Sequence, residues 1–218
     1  MTDDQDLTFA LTGYPTSVVS DALDELGIDG VLIDIAPRRE GQGRICGRAL
    51  PVRFLSMKDD PGAYRFGGGV GKPLEQVLKT MRGGDVVVMD LGGARNAAAW
   101  GGLASRLAQL RGVRGTVLWG CCRDVEEIRA IGYPVWSSGV SPRRSRNDFT
   151  FGSINEPVTI GSVLIASGDY IIADESGVIC VPHRHALEIM KLCARIAQQE
   201  TTLEAQVIGN AILSWDAI

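Results

Sequence analysis

The chain has 218 residues, 45% of them hydrophobic and 22% charged, an ordinary globular balance at a length that suits one sizeable domain. Its net charge of −4 argues against a nucleic-acid partner, which would call for a basic face. Five cysteines with one adjacent pair and no CxxC spacing fit neither a disulfide framework nor a zinc site, and read as core residues in a reducing compartment.

The first residues are acidic and lack a basic, apolar leader, and no apolar run reaches the ~18 residues of a membrane span. A cytoplasmic protein without a membrane partner is expected. From Tyr14 the pattern turns helical, with Val18, Ala22, Leu23 and Leu26 on one face, Thr16 or Ser17 as the cap and Gly27 as the stop. A strand is predicted over Gly43–Leu55. The glycine-rich stretch Phe66–Pro73 lacks the hydroxyl residue that a phosphate loop carries after its lysine, and reads as a loop.

A helix over Lys72–Met81 precedes the β-branched block of Asp85–Leu91, short enough for a buried strand. Gly92-Gly93 makes a turn, and a helix is predicted over Ala97–Leu110. The strand Gly115–Gly120, the helix Arg123–Gly132 and the strand Tyr133–Trp136 complete an alternation that describes an α/β core with parallel pairing. The basic cluster Arg143, Arg144 and Arg146 is either a solvated loop or a funnel for an anionic substrate. Short strands at Val158–Ile160, Val163–Ile165, Tyr170–Asp174 and Gly177–Pro182 suggest an antiparallel barrel or second sheet, followed by a helix from His183 to Gly209. No repeat or linker interrupts the pattern, so one domain over residues 1–218 is expected.

Chemistry is expected between Asp90 and Glu127, where two buried strands end. In open α/β sheets ligands bind beyond strand C-termini, and glycine amides near a helix start attract small anions. The second strand delivers Arg123 and Asp124. A guanidinium grips a carboxylate or enolate oxygen bidentately, and a carboxylate can hold a hard cation such as Mg2+. The same pair could instead cap the helix that follows. His183 and His185, the only histidines, lie away from this crevice and offer no partner for a serine or cysteine nucleophile.

Val19-Ser20-Asp21-Ala22-Leu23-Asp24, Asp90 to Gly93, Ala99-Trp100-Gly101-Gly102-Leu103, Gly112-x-x-Gly115, Arg123-Asp124, Pro134-Val135, Pro157 to Val163 and Gly168 to Val178 together resemble the RraA-like family over nearly the whole chain. That family includes class II 4-hydroxy-4-methyl-2-oxoglutarate aldolases, which often also decarboxylate oxaloacetate, and regulators that inhibit a ribonuclease. The resemblance implies a layered α/β/β/α domain with a parallel-paired core, a small antiparallel β region and a C-terminal helix. It further implies homotrimers or homohexamers with the site at a subunit interface.

Carried over by residue, Asp124 would ligate Mg2+ or Mn2+ and Arg123 would bind a small 2-oxo acid. Backbone N–H groups of Gly101, Gly102 and Leu103 would hold the substrate carboxylate. Glu127 would support the site, together with Glu200, or else Glu204, of a neighbouring subunit. The implied activity is a metal-dependent carbon–carbon lyase working through a pyruvate enolate by retro-aldol cleavage, β-decarboxylation or both. The aldolases commonly place a carboxylate 21 positions before the arginine, where this chain has Gly102. That departure leaves open an enzyme with a changed substrate or a non-catalytic regulator of a protein partner. Glu127, an acid that the regulators tend to lack, favours the enzyme.

Overall fold

The computed structural model describes residues 4–57, 71–145 and 148–210. Val86, Val87, Val88 and Met89 are all fully buried in β4 (Asp85–Trp100), because both faces of this strand are covered. It lies between β3 (Ile45–Ser56) and β5 (Gly115–Cys122), and β6 (Val135–Val140) follows β5, all parallel. Parallel strands with both faces covered read as continuous apolar runs rather than as alternation. Each such side chain contributes about 1.5–3 kcal/mol on burial.

The main sheet extends on both sides of this core. β2 (Ala36–Pro37) pairs antiparallel with β6 at one edge. At the other, β10 (Tyr170–Ala173) pairs antiparallel with the start of β3, β11 (Val178–Val181) with β10, and β1 (Val31–Leu32) with β11. The far half of β3 takes a further antiparallel partner, β7 (Phe149–Ile154).

Three apolar clusters show how the layers stack. Val87, Met89 and Leu118 face α3 (Gly71–Thr80), α4 (Gly102–Leu110) and α5 (Val125–Ile131), where they meet Val77, Ala104, Ala108 and Ile128. Val86, Val88 and Val117 share an inner cluster with Ile171, Ala173, Val178 and Cys180, so the sheet folds back over itself at β3. The hairpin of β8 (Val158–Ile160) and β9 (Val163–Ile165) fills that interior with Val158, Ile160, Val163 and Ile165. On the outer side of β10 and β11, Tyr170, Ile172 and Ile179 pack on α1 (Asp4–Thr12), α2 (Thr16–Glu25) and α6 (Ala186–Asn210). The layering is α/β/β/α, with the long C-terminal helix on one face.

The structure departs from the sequence reading in four places. Ala97–Trp100 belongs to β4 rather than to a helix: Ala98 exchanges backbone hydrogen bonds with the Arg143–Ser145 segment, and Ala98 and Trp100 pair with Cys121 and Cys122. Tertiary pairing overrides the helical preference of three alanines, and the helix starts only after Gly101, in extended backbone. Second, of the four short strands of the second half only β8 and β9 form a separate sheet, because β10 finds the free edge of β3. Third, α2 is capped by neither Thr16 nor Ser17. The distant Asp174 carboxylate accepts from Thr16 N–H at 2.9 Å and from its hydroxyl at 2.7 Å. Fourth, α3 already begins at Gly71. The rest of the glycine-rich stretch, Phe66 to Val70, and Arg146 lie outside the described residues.

Among the described residues no helix is long and apolar enough to cross a membrane. All five cysteines are free and buried. Burial pushes the Cys46 thiol up to about 12 and the Cys193 thiol up to about 11, so both pack as small apolar groups.

Candidate functional site

The C-terminal ends of β4 and β5 carry Arg123 and Asp124. As the chain leaves β5, the Arg123 N–H donates to the Trp100 carbonyl at 2.9 Å, fixing the exit. Trp100 is held in turn: its indole N–H donates to Ser105 Oγ at 2.8 Å, and that hydroxyl donates to the Gly101 carbonyl at 3.0 Å. Asp124 stands at the N-cap of α5 with φ 55° and ψ 40°, the left-handed region. Aspartate tolerates this conformation better than most residues, and such strain persists only where surroundings enforce it.

The Asp124 side chain does not cap its own helix. Its Oδ2 accepts from the Gly102 N–H at 3.2 Å and lies 3.4 Å from Arg123 Nε. The two side chains are 38% and 34% exposed, so the pair is open to solvent and to a ligand. Two glycines make the arrangement possible. A Cβ at Gly101 would stand 2.5 Å from Asp124 Oδ2 and 3.1 Å from Arg123 Cγ, and one at Gly102 would overlap the Glu127 carboxylate. Arg123, Asp124, Glu127 and the start of α4 therefore converge on the Gly101–Gly102 segment.

Of the three amides named from the resemblance, that of Gly102 is engaged by Asp124. Leu103 follows in the first helical turn, where an N–H has no intrahelical acceptor, and its side chain is 83% exposed. Glu200 lies exposed on α6, which packs chiefly against α2 and α1, and Glu204 lies one turn further along. Neither is brought to the Arg123–Asp124 pair within this chain. His183 and His185 form a short 3-10 turn before α6, with His183 Nδ1 2.9 Å from Arg48.

Sequence reading missed the support beneath the site. Asp90, buried at the end of the straight part of β4, accepts from the Gly92 N–H at 2.9 Å and lies 3.3 Å from Arg53 Nε on β3. The parallel register that sets Arg53 opposite Asp90 is the only signal for this pair, and it appears only in the folded sheet. Beyond Asp90, β4 arches outward and returns at Ala98. Over the arch, Asp148 accepts from Arg143 at 2.9 Å and from Asn96 at 3.2 Å. Arg143 is ion-paired beside the arch, yet its side chain stays 61% exposed and Arg144 is exposed as well, as expected of a solvated loop. Burial raises the thiols of Cys121 and Cys122, which disfavours a thiolate nucleophile next to the arginine.

Among the described residues no three His, Cys, Asp or Glu side chains cluster to cage a cation. The donor set still suits Mg2+ or Mn2+, since Mg2+ keeps several waters and takes only one or two protein carboxylates. Asp124 Oδ1 makes no hydrogen bond among the described residues, and Glu127 brings a second carboxylate to the same segment. A cavity of about 1150 Å3 lined by Phe9, Arg44, Cys46, Gly84 and Arg114 opens at the opposite ends of the strands, remote from this chemistry.

Comparison with known proteins sets this geometry in a family. Residues 16–180 match the family model described as RraA-like, Aldolase/RraA. Protein DlpA of Legionella pneumophila is 30% identical over 195 residues, 89% of this chain, and the chain spans only 30% of that protein's length. A putative 4-hydroxy-4-methyl-2-oxoglutarate aldolase of Halalkalibacterium halodurans is 26% identical over 91% of this chain and 87% of its own. The crystal structure of Streptomyces coelicolor RraAS2, described as an unusual member of the RNase ES inhibitor RraA protein family, superposes with a TM-score of 0.81 at 26% identity, covering 94% of this chain and 98% of that one. The alternating core, the Gly101–Gly102 segment and the Arg123–Asp124 pair fall inside the matched span, and the chain belongs to the RraA-like family.

Proposed function

We propose that this chain is a divalent-metal-dependent carbon–carbon lyase acting on small 2-oxo acids, by retro-aldol cleavage, β-decarboxylation or both. The observation that carries the reading is the convergence of Arg123, Asp124 and Glu127 on the Gly101–Gly102 segment at the C-terminal sheet edge. The relative named as a putative aldolase supports it.

In this reading Arg123 binds the substrate carboxylate and 2-oxo oxygen through its two-pronged guanidinium. The first turn of α4, at Leu103, adds N–H groups and the positive end of the helix dipole. Asp124 would hold Mg2+ or Mn2+, with Glu127 beside it, and the cation would supply Lewis-acid polarisation of the 2-oxo group. When the C–C bond breaks, its electron pair passes into the 2-oxo group and leaves a pyruvate enolate, with CO2 as the other product in decarboxylation or, in retro-aldol cleavage, a second carbonyl compound whose hydroxyl proton passes to water. The fixed charge of Arg123 stabilises the developing oxyanion, and the enolate carbon then takes a proton. In this reading Glu127 orients the water that delivers it.

The whole chain acts as one domain in this reading, in the cytoplasm, as a homotrimer or homohexamer. Glu200 or Glu204 of α6 then completes the site of a neighbouring copy. A non-catalytic regulator is the second reading, favoured by Gly102 in place of a carboxylate and by the likeness to RraAS2. An enzyme of altered substrate range is the intermediate case.

The test is pyruvate release from oxaloacetate and from 4-hydroxy-4-methyl-2-oxoglutarate, with Mg2+ and with EDTA. Turnover should vanish with EDTA and fall by about 10²–10³-fold in Asp124→Ala, the scale of a lost electrostatic group. Failure of the wild-type chain to exceed background with either substrate would move the assignment to a regulator or a different 2-oxo acid.

A further inference from the structure

We propose that the cavity at the N-terminal ends of β3, β4 and β5 is a second ligand site, taking a small molecule that joins an oxyanion to a flat apolar ring. The cavity measures about 1150 Å3, above the roughly 300–1,000 Å3 of most small-molecule sites. Among the described residues that line it, Arg44, Arg48 and Arg114 are cationic, Asp85 is acidic, and Phe9 and Tyr14 are aromatic.

Strand periodicity brings two of the arginines to one wall. Arg44, Cys46 and Arg48 alternate along the start of β3, so both arginines share the face that Cys46 presents to α1. Arg44 is partly buried: its Nη1 donates to the Thr12 and Gly13 carbonyls at 3.3 and 3.2 Å, and its Nε lies 3.4 Å from Asp174. Arg48 is partly buried as well. Its guanidinium carbon stands 4.2 Å from the centre of the Tyr170 ring, and its Nη1 is 2.9 Å from His183 Nδ1. Both heads are therefore held in place before a ligand arrives, which spares the ligand the cost of ordering them.

Arg114 reaches the cavity from the loop before β5. Its N–H donates to the Asp85 carbonyl at 2.7 Å, and its stem crosses Gly47, where an added Cβ would stand 3.2 Å from Arg114 Cγ. Asp85 turns its carboxylate to the Arg82 N–H at 2.7 Å. A smaller cavity of about 290 Å3 shares Arg48 and Asp85 with the larger one and adds Thr80, Asn155 and Ser167.

This lining selects the ligand class. Guanidiniums hold a carboxylate or phosphate by charge-assisted bonds. Phe9 lines the cavity yet is 84% exposed, so a ring laid on it would cover apolar surface that the fold leaves in water. From Arg114 to Arg123 the chain runs the length of β5, up to about 30 Å at strand rise, so no small ligand touches both. The site stands whether or not the chain is a lyase, since binding alone tests it.

Calorimetric titration of the full chain with benzoate and with phenyl phosphate is the experiment, repeated on Arg114→Gln, Phe9→Ala and Arg123→Gln. The Arg114 side chain makes no hydrogen bond or ion pair among the described residues, and Phe9 is exposed, so both cavity variants should keep the wild-type melting temperature. At least one probe should bind at millimolar concentration or tighter. Arg114→Gln should weaken it about tenfold, the scale of a lost charge-assisted bond, and Phe9→Ala about fivefold, that of a lost ring contact. Arg123→Gln should leave it unchanged. The tighter probe identifies the oxyanion as carboxylate or phosphate. Absence of saturable binding by both probes, binding that Arg114→Gln or Phe9→Ala leaves unchanged, or binding that Arg123→Gln abolishes overturns the proposal.

Discussion

At Gly102 an added Cβ would overlap the Glu127 carboxylate, which is the far end of a flexible side chain and can swing away. Gly102→Ala should therefore fold normally while displacing Glu127. If Glu127 orients the water that delivers the proton, Glu127→Gln should slow pyruvate release by about 10²-fold, the low end for acid–base assistance. Gly102→Ala alone should show part of the same loss of rate, and the double variant should be no slower than Glu127→Gln alone, since both remove one interaction. Additive defects would show that the two residues act separately. Gly47 offers the opposite case: its Cβ would run into the Gly84 carbonyl oxygen, with Val86 Cγ2 at 3.0 Å and Arg114 Cγ at 3.2 Å. The Gly84 carbonyl is held by the Arg48 N–H at 3.2 Å and has little room to swing away. Gly47→Ala should cost about 1–3 kcal/mol, read as a lower denaturant midpoint.

At the scale of elements, Asp174 joins the loop between β10 and β11 to the start of α2. It accepts from Thr16 N–H, the Thr16 hydroxyl and the Ser176 N–H, lies 3.4 Å from Arg44, and its own carbonyl accepts the Trp136 indole N–H at 2.8 Å. Burial pushes its carboxyl up, but the bonds from Thr16, Ser176 and Arg44 outweigh burial and hold it below the usual carboxylate range. A lowered folded-state pKa means that this stabilisation is complete above the unfolded value near 3.9 and is lost as pH falls through the folded value. Asp174→Asn should be less stable at pH 7 by about 1–3 kcal/mol and should show a shallower acid-side decline, measured by denaturant midpoints from neutral to acidic pH.

The same loop shows where sequence reading stops. Local signals carry α2 and β5, because Val18, Ala22 and Leu23 repeat at helical spacing and Gly115–Gly120 is a short apolar block between glycines. The Asp174 cap on α2 bridges 158 residues, and no local pattern announces it. Ala97–Trp100 looks helical by propensity and becomes strand only because Cys121, Cys122 and Arg143 are there to pair with it. At the site, Arg123 and Asp124 are legible as neighbours at a strand end. The reach of Glu127 over Gly102 and the Arg53–Asp90 support depend on helix and strand register.

Over the whole molecule, β3 is the common member. It pairs with β10 and β4, and its far half with β7, so both sandwich halves depend on one strand. The inner cluster joins Val86 and Val117 from one half to Ile171 and Val178 from the other. Neither half can bury its inner face alone. Denaturation followed by far-UV circular dichroism and by fluorescence of the buried Trp100 and Trp136 should give coincident transitions. Separated midpoints would show that the halves unfold independently.

The arch of β4 has a consequence for how this framework changes over time. From Asp90, opposite Trp119, to Trp100, opposite Cys122, β4 takes ten residue steps while β5 takes three. Ala94 still pairs with Gly120 and Ala98 with Cys121 inside that surplus, so the slack is greatest between Asp90 and Ala94, at Gly92-Gly93. Insertions at Gly92-Gly93 can therefore reshape the mouth of the crevice without shifting Arg123 or Asp124. A lineage can exchange its ligand preferences there while its stability stays untouched, and an added glycine between Gly92 and Gly93 should leave the melting temperature nearly unchanged. The floor of the crevice is held by strand pairing, and its rim is where chain length can change.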